Sequence, residues 1–122
     1  MNTLLWICQI ILAIAFLYSG INKSIYSGEK LVAKGQTGVD GLPMPLIRFI
    51  GILEILGAFG IILPWWLNIV PVLTPITAIC FCIVMILAAP IHYKRKEPKN
   101  VLTNIMFLLF SLFVAYGRFA WR

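Results

Sequence analysis

Between Leu46 and Pro64 the chain reads LIRFIGILEILGAFGIILP, apolar enough for lipid yet holding Arg48 near its start and Glu54 near its middle. A charged side chain at the centre of a bilayer costs roughly 3 kcal/mol on insertion scales. Such a residue normally faces a partner group or a wet cavity. Whatever this chain folds into must therefore put something opposite Glu54.

Three further apolar runs supply the candidates. The spans are expected over residues 4–21, 46–63, 71–91 and 101–119, with a polar loop over 22–45. Each is about the length a 30 Å hydrocarbon core requires at roughly 1.5 Å per helical residue. Pro64 ends the second span, and Trp65 and Trp66 follow it at the interface that amphipathic rings prefer. Pro71 and Pro75 fall in the first turns of the third span, where a missing N–H costs little. The Gly- and Pro-rich half of the long loop, which includes Asp40, reads as irregular. Residues 27–34 suit a short interfacial helix. Arg118, Trp121 and Arg122 mark the exit of the last span. No internal repeat is visible, so the whole chain, 1–122, reads as a single transmembrane domain.

The composition agrees: 61% of residues are hydrophobic and 11% charged, against roughly 45–50% apolar in soluble proteins. The fold class expected is all-α, an integral membrane four-helix transmembrane bundle. The net charge of +6 would suggest nucleic acid in a soluble chain, but here the basic residues cluster in loops. That pattern fits topology and anionic head groups, and no nucleic-acid partner is expected. Cys8, Cys80 and Cys82 lie inside apolar runs without a Cys-x-x-Cys pair. They read as small buried hydrophobes, with no metal site. The N-terminus lacks a basic leader and a cleavage site, so the first run reads as a retained helix.

Eight of the ten basic residues flank one side of four alternating spans: Lys23, Lys30, Lys34, Arg48, Lys94, Arg95, Lys96 and Lys99. Arg118 and Arg122 flank the other. The positive-inside rule then places both termini outside and the loops 22–45 and 92–100 in the cytoplasm.

Helical spacing turns the polar residues inward. Ile47, Gly51, Glu54, Ala58 and Ile61 share one face, and the small Gly51 and Ala58 let another helix approach. Gln9, Ala13, Phe16, Gly20 and Lys23 share a face of the first helix, with Ser19 and Asn22 beside it. Thr74, Ala78, Phe81, Met85, Ala88 and His92 share one on the third. Asn100, Asn104, Phe107, Ser111, Val114 and Arg118 share one on the fourth. Depth sorts these stripes: Asn22, Lys23, Arg48, His92, Asn100 and Asn104 fall near the basic end. Glu54 lies roughly 12 Å beyond the start of its helix, within partial reach of a snorkelling Lys23 or Arg48. Gln9, Thr74, Ser111 and Arg118 belong to the other half. Lys23, Arg48, Glu54, His92 and Asn104 are thus the candidate ligand-binding or buried polar cluster, and Asn22, Ser111 and Arg118 are secondary. Polar groups in bundles also serve as plain interhelical glue, worth about 0.6 kcal/mol each.

RFIGILEILGAFGIILP, PVLTPITA, AAPIHY with its basic turn, the Asn at the head of the last helix, the Arg at its end, and the SGINK close of the first helix resemble the DoxX-like family of small bacterial membrane proteins. The resemblance covers nearly the whole chain and implies a four-helix transmembrane bundle. It places Lys23, Arg48, Glu54, His92, Asn104 and Arg118 at the family's polar positions. Family members are linked to thiosulfate–quinone oxidoreduction, redox-stress complexes and quinone responses. This chain lacks a cysteine pair, a haem-ligand pair and a nucleotide motif. The resemblance therefore implies a site near a quinone or another lipophilic molecule, held non-covalently, and not a self-sufficient redox enzyme.

Three functions follow as expectations. The first is a membrane module that binds a quinone or lipid or docks a redox partner. The second is a structural or assembly factor for a membrane complex, with a homo-oligomer as one form of partner. The third is a small proton-coupled transporter. Small multidrug transporters carry their buried Glu in the first helix, which here holds no acid.

Overall fold

A computed structural model describes residues 2–34, 37–39 and 41–120. The expected exit residues Trp121 and Arg122, and Asp40 in the loop, lie outside the described residues. The fold is all-α among the described residues: α1 (Asn2–Ile25), α2 (Gly28–Ala33), a 3-10 turn (Thr37–Val39), α3 (Met44–Gly60), α4 (Leu63–Leu67), α5 (Leu73–Lys94) and α6 (Pro98–Ala120). Among the described residues four stretches are long and apolar enough to cross a membrane: Asn2–Ile25, Met44–Leu67, Leu73–Lys94 and Pro98–Ala120. Their outward faces carry Ile14, Phe49, Leu56, Leu87 and Leu102, all exposed, as helices surrounded by lipid require.

The helices form a ring. α1 packs on α3 at one side and α6 at the other, α5 packs on α6, and α5 closes more lightly on α3. The α1–α3 approach depends on two glycines. A Cβ on Gly20 would lie 2.7 Å from the Gly51 carbonyl oxygen, and one on Gly51 would lie 2.9 Å from that of Gly20. No residue with a side chain fits either position at this spacing. Inside the ring, Leu12, Phe16, Ile61, Ala78, Phe81, Met85, Val114 and Ala115 form the core. The Phe16 and Phe81 rings stack at 3.8 Å.

Each boundary has a local cause. Ser27 caps α2 by accepting a hydrogen bond from the Lys30 N–H. A second, smaller core of Leu31, Val39 and Ile47 binds this loop to the start of α3. Pro64 has no N–H to offer the Gly60 carbonyl, and α3 stops at Gly60. The chain then makes one turn and resumes as α4. At the other end α5 continues past Pro90 to Lys94, so the connection to α6 shrinks to residues 95–97. Lys96 turns the chain there with a left-handed φ of 58°.

Candidate functional site

The four inward faces bring polar side chains to two places, one at each end of the ring. At the basic end Lys23 on α1 meets Glu54 on α3, Nζ to Oε1 at 2.8 Å. Ser19 Oγ donates to the same oxygen at 3.3 Å. Among the described residues no hydrogen bond reaches Glu54 Oε2. Both charged side chains are withdrawn from solvent, with 11% of Lys23 and 2% of Glu54 exposed. The pair sits in the wall of a cavity of about 300 Å³. Ala15, Phe16, Val84, Met85, Ala88 and Phe107 give it apolar walls, and Ser19, Thr37, His92, Asn100, Thr103 and Asn104 add polar groups.

The 3-10 turn covers the end of this cavity. Thr37 Oγ1 donates to Glu97 Oε1 at 2.6 Å and lies 3.2 Å from His92 Nδ1. His92 Nδ1 is itself 3.2 Å from Glu97 Oε1. Asn100 Nδ2 donates to the Thr37 hydroxyl at 3.4 Å, and Arg95 Nε to Glu97 Oε2 at 3.4 Å. The Thr37 hydroxyl above all, then His92, Asn100 and Arg95, hold the Glu97 carboxyl down to about 2 from an ordinary 4.5. On the deeper side Asn104 Nδ2 donates to the Met85 carbonyl, tying α6 to α5.

Of the candidates from sequence, Lys23, Glu54, His92 and Asn104 line this one cavity. Arg48 does not. Its guanidinium turns to the end of α1 and donates to the Lys23 and Tyr26 carbonyls at 2.9 and 2.7 Å. Those acceptors are left open where α1 terminates, and a cation is well placed there. Asn22 is buried, with Nδ2 unpaired among the described residues. Thr37 and Glu97 are the residues that sequence reading passes over. The available signal was an acid among the bases of HYKRKEPKN. Thr37 lies in an aperiodic loop and had none.

The second cluster lies at the opposite end. The break at Pro64 frees the Gly60 and Ile61 carbonyls. Thr74 Oγ1 donates to the first at 3.1 Å and Gln9 Nε2 to the second at 2.7 Å. Gln9 Oε1 then accepts from Arg118 Nε at 2.7 Å, and Asn2 Oδ1 from Arg118 Nη1 at 2.8 Å. The Arg118 guanidinium lies 4.6 Å from the Trp65 ring and 5.4 Å from that of Trp6. Arg118 is 1% exposed, a cation held by amide oxygens and ring faces. Ser111 Oγ, midway along α6, is buried and unpaired among the described residues.

Comparison with the curated proteins and with the solved structures returned no match. The family comparison did: the model of the DoxX-like family matches residues 7–114. That stretch contains Lys23, Glu54, His92 and Asn104 together with most of all four spanning helices, and the chain belongs to the DoxX-like family.

Proposed function

We propose that this membrane protein binds a lipophilic molecule, a quinone or a lipid, in the cavity beside the Lys23–Glu54 pair. The cavity itself carries the reading. Its volume stands at the small end of the roughly 300–1,000 Å³ typical of ligand pockets, and its apolar walls with a few convergent polar groups are the usual lining. It suits one ring or head group. Lys23 has N–H donors beyond the one given to Glu54, and these can meet a carbonyl oxygen. Glu54 Oε2 can accept from a hydroxyl. A head group bearing oxygens in either state thus finds a partner. The protein is read as lying in a bacterial inner membrane with loops 22–45 and 92–100 cytoplasmic, so the cavity is near the inner face.

The test is titration of the detergent-purified protein with a short-chain benzoquinone, followed by calorimetry, together with mass spectrometry of extracted lipophiles. A saturable binding heat that weakens in Glu54→Gln is expected. No co-purified lipophile, and no saturable signal that responds to Glu54→Gln, would remove the reading.

One observation favours a structural role for the same pair. It spans the α1–α3 contact, where Gly20 and Gly51 already bring the backbones together. As an assembly factor the protein would lose stability in Glu54→Gln with no change in any ligand, and a membrane partner would be recovered with it.

A further inference from the structure

A second recess lies on the outside of the bundle, between α5 and α6. It holds about 470 Å³ and is lined by Ile86, Ala89, Pro90, Tyr93, Val101, Ile105 and Leu108. Ile86, Tyr93 and Ile105 are exposed, so this groove faces lipid. It exists because α5 presents Ala89 and Pro90 here, side chains too small to meet α6. Two more residues line it, Met85 and Asn104, and both also line the inner cavity. The Asn104 amide donating to the Met85 carbonyl is therefore the partition between the two spaces. On one side lie an ion pair and a set of polar groups. On the other lies an apolar trough open to the bilayer.

We infer that the ligand is a single-tailed amphiphile whose oxygen-bearing head sits beside Lys23 and Glu54 while its apolar tail passes the Asn104–Met85 partition and lies in the α5–α6 groove. The inference rests on the reading of the cavity given above and narrows it to the chemistry of a tailed quinone. The two spaces adjoin through Met85 and Asn104, so one occupant reaches both once the Asn104–Met85 hydrogen bond opens. The inner cavity is too small for head and chain together, and the groove lacks polar groups apart from Asn104 and the Tyr93 hydroxyl. Lateral entry from the bilayer also spares the head a route through the Thr37–Glu97 cover.

The probe is a benzoquinone carrying a diazirine midway along a ten-carbon tail, photolysed with the full chain in lipid nanodiscs and mapped by mass spectrometry. Adducts are expected on residues 86–93 and 101–108, and few on the outward α3 residues Phe49, Leu53 and Leu56. Excess tailless benzoquinone and Glu54→Gln should each reduce them. Ala89→Phe, which fills the groove, should cut them by about tenfold, as overpacking of this size implies. Val101→Phe is the second variant should the first fail to fold, and Leu87→Phe, on an outward face, should change nothing. Adducts spread evenly over the lipid-facing residues overturn the inference, and tailless quinone that still saturates the cavity leaves the earlier reading standing. Groove adducts insensitive to both the competitor and Glu54→Gln also overturn it, because the groove then holds an ordinary lipid tail. If neither probe engages the protein, both readings fall.

Discussion

The Lys23–Glu54 pair makes a quantitative demand on mutants. At 2.8 Å and an effective dielectric near 20, the gross attraction is roughly 6 kcal/mol. Desolvation of two nearly buried charges offsets most of this, so the pair as a whole contributes little. Removing one member is different, because the remaining charge keeps its desolvation cost and loses its compensation. Lys23→Met or Glu54→Leu alone should each cost roughly 3–5 kcal/mol. The double substitution should fall within about 1 kcal/mol of the parent. Ser19→Ala gives the scale of ordinary interhelical glue, about 0.6 kcal/mol. Reversible unfolding in mixed micelles, with helicity as the signal, measures all four. Additive single losses, or single losses no larger than that of Ser19→Ala, would refute the argument that this is a mutually compensated buried pair.

Three further outcomes follow from geometry. Gly51→Ala puts a methyl 2.9 Å from the Gly20 carbonyl, Lys23 Cβ and Ser24 Oγ, and should cost roughly 1–3 kcal/mol in the same unfolding assay. Glu97 has its carboxyl lowered to about 2 from 4.5, so its contribution is complete above about 4.5 and lost as pH falls toward 2. Limited proteolysis between residues 28 and 42 should accelerate across that window, and Glu97→Gln should show the acidic behaviour already at pH 7. Arg118→Met leaves the Gln9 and Asn2 amide oxygens without their donor; unfolding should show a loss of roughly 1–3 kcal/mol, and tryptophan emission should shift as Trp6 and Trp65 lose the cation.

Hydropathy and helical spacing were enough to read the four helices and the direction of their polar stripes. Ile47, Gly51, Glu54, Ala58 and Ile61 are all buried, as are Gln9, Phe16, Gly20 and Lys23. That follows because a membrane helix has only one inward face, and small residues mark it. Partner choice was not legible in the same way. By spacing alone Lys23 and Arg48 are equal candidates for Glu54, and only the open carbonyls at the end of α1 draw Arg48 away. The Thr37–Glu97 contact joins residues 60 positions apart through a loop without periodicity, so no pattern announces it. Gln9 finds the Ile61 carbonyl only because Pro64 breaks α3 at that depth.

The two polar clusters separate burial from function. Arg118 is the more deeply buried cation and has no carboxylate within bonding distance among the described residues, yet its surroundings are filled by Gln9, Asn2 and two indole rings. Neither of the two cavities described above touches it. Lys23 and Glu54 compensate each other, which makes them the less anomalous charges, but they border open space. A charge in lipid must be met by something, and at the Arg118 end Gln9, Asn2 and two indole rings meet the guanidinium except at Nη2, which has no hydrogen-bond partner among the described residues. At the other end it supplies an ion pair in which, among the described residues, Glu54 Oε2 has no hydrogen bond, and the pair borders about 300 Å³ of open space. The room beside the pair, more than the charge of Glu54, is what supports the proposal that a ligand binds at this end of the bundle.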